Sequence, residues 1–176
     1  LLTGAHTVSA ALRRNLPYHP VRDFSFLSTV TTFPFVVAVR AEHPARTLDE
    51  LLAQARQRQV SYTSVGVGST QHMVGEMLAS ASGAPLLHVP YRGGGAPVEA
   101  GLGGEDDVLG DTPTVATPHL QSGRLRALAV TSAKAWPLLP GVPTAAATLP
   151  DFEVRSWLGL AAPAGLPPAI VRRLNT

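Results

Sequence analysis

The chain has 176 residues and 18.4 kDa, enough for one medium domain or two small lobes, and its 45% apolar content supports a real core. Thirteen Arg and one Lys give a formal charge of +2 and a pI near 9.5. The arginines are dispersed, with Arg13–Arg14 and Arg172–Arg173 the adjacent pairs, and aromatics make up only 6%, a pattern that argues against a nucleic-acid partner. With no cysteine, neither disulfides nor thiolate metal sites exist. The apolar run FPFVVAV (33–39) is far short of the ~20 residues that span a bilayer.

Taken in chain order, short apolar runs alternate with helical patterns. FVVAV (35–39), VSYT (60–63), LLHV (86–89), LRALAV (125–130) and WLGLAA (157–162) read as buried strands. The clearest helix covers 47–58, where Thr47 and Glu50 form a capping box and Leu48, Leu51, Leu52 and Ala55 share one face. Arg56 and Arg58 suit the negative end of its dipole. A second helix starts at Ser69 or Thr70, buries Met73, Val74, Met77, Leu78 and Ala81, and stops at Gly83. Shorter helices are predicted at 96–102 and 168–175, each with Pro in its first turn, so the chain ends at Asn175–Thr176 inside a helix and reads as one piece of a longer fold. Strand–helix alternation of this kind predicts an α/β fold with largely parallel sheets.

GVGST (66–70) joins a strand to a helix start, where unpaired N–H groups and the positive end of the dipole suit an anion. The loop is not a dinucleotide fingerprint, because Gln71 stands where the third glycine belongs. Nor is it a phosphate P-loop, since no Gly-Lys-Ser/Thr follows. What remains is a carboxylate-sized site flanked by the hydroxyls of Ser64, Ser69 and Thr70, set against a plain capped turn with no ligand. His72 lies in the first helical turn, and the six histidines show neither i, i+4 pairing nor neighbouring carboxylate ligands, so no metal site is expected. A Ser69–His72–Asp111 triad lacks the G-x-S-x-G elbow, and no catalytic residue is assigned. In HVPYRGGG (88–95), Tyr91 and Arg92 stand where they could shape a ligand's rim, or belong to an exposed loop. Asp111 ends a predicted strand, placed either to accept from a ligand amine or, the favoured reading, to cap the helix after Pro113.

Together LPYHPVRDFSFLSTV (16–30), PARTLDELLAQAR (44–56), VSYTSVGVGSTQHMVGEML (60–78), LLHVPYRGGGAPVEAGLGG (86–104), GRLRALAVTSAKAWPLLPGVPT (123–144) and FEVRSWLGLAAPAGLPPAIVRRLN (152–175) resemble the Bug-type solute-binding receptors of tripartite tricarboxylate transporters, nearly end to end. The resemblance implies a type II periplasmic-binding-protein fold of mostly parallel sheets flanked by helices. A nearly complete second lobe would occupy 40–147, and a partial first lobe 1–39 and 148–176, with crossing segments near 36–42 and 145–156. It implies that a ligand carboxylate is anchored by Ser64, Gly66, Gly68, Ser69, Thr70 and His72, with Tyr91 and Asp111 nearby, and that TGAHT (3–7) is a first-lobe loop approaching the ligand.

The function implied is periplasmic capture of a small organic acid or acidic amino acid for membrane transporter subunits, without catalysis or cofactor. The signal peptide would lie outside this chain, which also starts after an early first-lobe strand of the family and stops before its C-terminal helices. The alternatives are a ligand-free lobe serving as an assembly module or homodimer and, last, a Ser/His hydrolase. The family's G-G-Q-V-D-x-M-F-D becomes GGEDDVLGD (103–111), so Asp106 is expected as an unpaired carboxylate in a buried strand and Gly110 as a lost aromatic. Each such change costs about 1–4 kcal/mol.

Overall fold

The computed structural model describes residues 1–175 and divides into two compact units, Leu1–Thr32 with the segment from Ser156 onward, and Phe33–Arg155. The units join at 32/33 and at 155/156, so residues 33–39 and 148–155 fall in the second.

The second unit is built around β3 (Val36–Arg40), whose first four residues are completely buried. Its side chains alternate between two cores: Val37 and Val39 join one, Val36 and Ala38 the other. Five strands form the sheet in the order β5 (Leu86–Pro90), β4 (Val60–Ser64), β6 (Val108–Asp111), β3 and β7 (Leu125–Val130). Four run the same way and β3 runs against them, paired antiparallel with both β6 and β7. Helices α2 (Leu48–Ala55) and α3 (Thr70–Ser82) supply the first core, while α4 (Ala96–Gly103) and α5 (Pro113–Gln121) supply the second through Val98 and Ala116.

Local signals explain the helices. The Thr47 hydroxyl accepts the Glu50 amide (3.2 Å) and the Glu50 carboxylate accepts the Arg46 amide (2.6 Å), a capping box shifted one residue outward. Leu48, Leu51, Leu52 and Ala55 are buried as their spacing requires. Ser69 caps α3, and Gly83 ends it in the left-handed conformation (φ 64°). Three residues expected inside are not buried: Met77 and Ala81 are exposed and Met73 is half-buried, while Gly75 is buried instead. The Tyr62 ring lies over Gly75, where a Cβ would stand 2.1 Å from the ring. LLHV (86–89), read as buried, is an edge strand with Leu87 exposed, because β5 has a neighbour on one side only.

Two expectations about GGEDDVLGD fail. Strand β6 begins at Val108, so Asp106 lies in the preceding turn, buried and accepting the Tyr91 hydroxyl at 2.6 Å. That bond, followed by burial, pushes the Tyr91 phenol up to about 12. Gly110 leaves only a gap of about 10 Å³ among Val37, Tyr62, Val74 and their neighbours, at the lower limit for a single water. Neither position carries the defect its residue type suggested.

The next residue, Asp107, ties the start of β4 to the turn before β6. Its carboxylate meets the Arg58 guanidinium (2.9 Å), the Ser61 amide (3.0 Å) and His43 (3.4 Å), while its own amide donates to the Ser61 hydroxyl (3.1 Å). Burial alone would push the Asp107 carboxyl up; Arg58, the Ser61 amide and His43 outweigh it and hold it below the ordinary range. Burial drives the His43 imidazole down, against the pull of Asp107.

In the first unit, β8 (Arg155–Pro163) lies between the two-residue β1 (Leu2–Thr3) and β2 (Phe24–Pro34). The TGAHT segment opens α1 (Gly4–Leu12), capped by the Thr3 hydroxyl. His6 bonds the Pro20 carbonyl (2.8 Å) among Tyr18, Phe24 and Phe26. Helix α6 (Pro168–Leu174) ends before Asn175; the predicted helical setting of Thr176 lies outside the described residues.

Three outcomes follow from this packing. Gly75→Ala destabilises by about 1–3 kcal/mol through the clash with Tyr62, reversing the ~1 kcal/mol that helix propensity alone predicts in its favour; urea unfolding reads the sign. Tyr91→Phe costs about 1–3 kcal/mol because Asp106 stays buried without its donor, checked the same way. Both His43 and Asp107 favour their deprotonated forms in the fold, so stability is lost as pH falls, His43's share below the unfolded value near 6.5 and Asp107's below about 3.8. Asp107→Asn should start from a lower urea midpoint and fall less steeply below about pH 3.8, where Asp107's own share is gone; between pH 6.5 and that range its fall should be no shallower, because Asp107 also holds up the His43 imidazole.

Candidate functional site

Because β5, β4 and β6 are parallel, their carboxyl ends reach one edge of the sheet. That edge receives Pro90, Ser64 and Asp111 from the three strands, and the turn from β4 into α3 covers residues 65–69. This is the position at which open α/β sheets hold ligands.

Ser64 is the pivot. It is 1% exposed, its carbonyl accepts the Tyr91 amide (2.9 Å), and its hydroxyl lies 2.6 Å from His88 Nε2. The same hydroxyl accepts the Gly66 amide at 3.0 Å. Gly66 (φ 131°) and Gly68 (φ 84°) adopt backbone angles that L side chains rarely reach, which is why the turn needs glycine there. The Gly68 amide donates to His72 Nδ1 (3.3 Å), the Ser69 amide to the Gly66 carbonyl (3.1 Å), and the His72 amide to the Ser69 hydroxyl (3.1 Å).

The turn therefore satisfies much of its own backbone. Gly66, Gly68 and Ser69, assigned by resemblance to a ligand carboxylate, already donate their amides within the loop. Val67 is 69% exposed at the tip of the turn. Thr70 begins the helix, and the first turn of α3 carries no acidic residue to offset its dipole.

The other assigned residues divide. His72 joins the loop through its ring, and the ring stacks on His88 with centroids 4.1 Å apart. Tyr62 also stacks on His88 (5.0 Å) and donates its hydroxyl to Glu76 (2.7 Å), whose carboxylate faces His72 Nε2 at 3.7 Å. Burial, then the neighbouring His72, pushes the His88 imidazole below the ordinary histidine range. Tyr91 reaches the site by its backbone only, since its hydroxyl turns to Asp106. Asp111 is buried, and that burial pushes its carboxyl up while the Thr112 amide (2.6 Å) and the Gln71 side chain bond it. It does not cap α5, whose N-cap is Thr112, so the capping expectation is corrected.

No Ser69–His72–Asp111 relay forms. Ser69 bonds the His72 amide rather than its ring, and the ring is taken by Gly68. The serine–histidine contact that does exist, Ser64–His88, joins residues 24 apart on neighbouring strands. Only the pairing register of β4 and β5 brings them together.

The whole chain, residues 1–176, matches the family model for the tripartite tricarboxylate transporter family receptor. It is 40% identical over 164 residues to a UPF0065 protein encoded in the tcbD-tcbE intergenic region of Pseudomonas sp. strain P51, covering 91% of this chain and 49% of that protein. Rpa4515 of R. palustris, solved with adipate, superposes with a TM-score of 0.93 at 33% identity, over 98% of this chain and 59% of that one. The periplasmic binding protein BugD superposes at 0.91 with 31% identity, over 98% and 58%. The chain thus spans about half the length of the curated relatives it matches. A full-length family match, an α/β fold shared with solved receptors, and the loop-to-helix turn at the carboxyl edge of its sheet agree, and the chain belongs to the tripartite tricarboxylate transporter receptor (Bug/TctC) family.

Proposed function

We propose that this chain supplies the carboxylate-anchoring wall of a periplasmic receptor for a small organic acid, delivered to membrane transporter subunits. The observation that carries the reading is the α3 start. A first helical turn without acidic residues, entered from the exposed Val67 tip, lies at the carboxyl edge of three parallel strands. Ser64, Ser69, Thr70 and His72 frame that point, while Gly66 and Gly68 shape the turn more than they donate to the ligand. Phe33–Arg155 correspond to the anchoring lobe, and Leu1–Thr32 with the segment from Ser156 onward to the other. The adipate in Rpa4515 supports an aliphatic dicarboxylate as the ligand class. The site binds without making or breaking bonds.

Magnitudes limit what this wall does alone. Each charge-assisted N–H bond contributes about 1.5–3 kcal/mol before ordering costs, whereas micromolar affinity needs about 8 kcal/mol. An opposing wall supplies the remainder in a complete receptor.

A second reading, self-association, draws on one observation. Strand β2 exposes Phe26 and Val30, 52% and 59% accessible, along an otherwise polar stretch. Light scattering across a concentration series tests it, and a monomer throughout removes it.

For the receptor reading the test is calorimetric titration with adipate. The expected result is saturable binding in the millimolar range or tighter, weakened at least about tenfold (~1.4 kcal/mol) in Val67→Asp with unchanged melting temperature. Equal affinity in Val67→Asp, or no heat from adipate and a panel of dicarboxylates and acidic amino acids, counts decisively against it.

A further inference from the structure

The two histidines behind the loop have a geometry that anion anchoring does not require. His72 Nδ1 accepts the Gly68 amide, so in this state its ring proton sits on Nε2, toward Glu76 Oε1 at 3.7 Å. His88 Nε2 meets the Ser64 hydroxyl, which in turn accepts the Gly66 amide. The two rings lie face to face, 4.1 Å apart and 29° from parallel. Thus the amide of each loop glycine reports, directly or through one hydroxyl, to one member of a stacked imidazole pair.

We infer that His72 and His88 form a proton-operated latch on the 66–68 loop, closed when both rings are neutral and opened when His72 takes a proton. Protonation places an N–H on Nδ1, facing the Gly68 N–H donor to donor. The bond breaks, and the Gly68 amide is released beside a new positive charge. Both changes favour an anion at the α3 start, so anion affinity rises when His72 is protonated. Two rings stacked this closely cannot both carry charge at low cost. Burial disfavours charge on His88, whose Nε2 is held by the Ser64 hydroxyl, so the single proton goes to His72, opposite Glu76.

The groups facing the pair are few. Helix α3 supplies Glu76, β4 supplies Tyr62, whose phenol burial and Glu76 keep protonated, and β5 supplies His88 itself. Strand β6 supplies Asp111, which reaches the adjacent Gln71 rather than the ring. Asp111 is therefore the competing origin of any pH response. The proposal rests on the receptor reading for its consequence, but the latch has a readout of its own.

That readout is the Gly68 amide in ¹H–¹⁵N NMR of the ligand-free chain, followed from about pH 8 to pH 5. It should titrate together with the His72 ring and lose protection from exchange as pH falls. His72→Asn, whose carbonyl oxygen can take the place of Nδ1 without titrating, should hold the amide closed throughout; His72→Ala should leave it open throughout. Adipate affinity should rise severalfold between about pH 7.5 and 6 in the unaltered chain and stay flat in both variants, weaker in His72→Asn. A Gly68 amide indifferent to pH, or one that titrates unchanged in His72→Asn and is silenced by Asp111→Asn, overturns the latch. Adipate binding that ignores pH while the amide titrates overturns its coupling to the ligand. If adipate fails to bind at any pH, the receptor reading falls and the amide titration still decides the latch.

Discussion

The second unit depends on the complete burial of β3 between β6 and β7. A strand with no solvent-facing side must be apolar on both faces, and Val36–Val39 meet that demand with alternate residues in two cores. Each core in turn needs helices, α2 and α3 on one face and α4 and α5 on the other. The crossovers these helices make keep β5, β4 and β6 parallel. Parallel strands end on the same edge, and for that reason Ser64, Pro90 and Asp111 arrive together although they are far apart in the chain. One buried strand thus positions a site to which it contributes no side chain.

The two ends of β4 show opposite electrostatic solutions. Near its start, the Asp107 carboxylate is compensated by Arg58, His43 and two bonds with Ser61, so the charge is retained and useful to stability above acid pH. At its carboxyl end the helix dipole of α3 meets no carboxylate in the first turn. Part of the turn's backbone is satisfied internally, by Ser64 and His72. A turn that bonds its own glycines keeps its shape without ligand. Its capacity for an anion then depends on how readily those internal bonds yield, and imidazole is the acceptor most easily switched off near neutral pH.

Stability and binding are separable here. The packing of Tyr62 on Gly75 and the bond from Tyr91 to Asp106 hold the sheet and its loops without touching an anion at the helix start. Val67, exposed at the tip of the turn, takes no part in that packing. The chain covers roughly half of the curated relatives it matches.

Much of this was legible in the residues alone. The apolar runs at 35–39, 60–63, 86–89, 125–130 and 157–162 became strands, and Thr47, Ser69 and Gly83 marked helix ends, because capping and periodicity are local chemistry. The family was legible as well, since its motifs occur in order. Tertiary structure alone decided which groups meet. Asp106 proved partnered because Tyr91 folds over it from 15 residues away, and Met77 and Ala81 proved exposed because Gly75, not a larger residue, faces Tyr62. Likewise Gly66 and Gly68 proved occupied, because β4–β5 pairing sets His88 against Ser64 and the helix start turns the His72 ring back onto Gly68. Local propensity follows from neighbours along the chain, whereas hydrogen-bond satisfaction depends on register and on the faces that packing brings together.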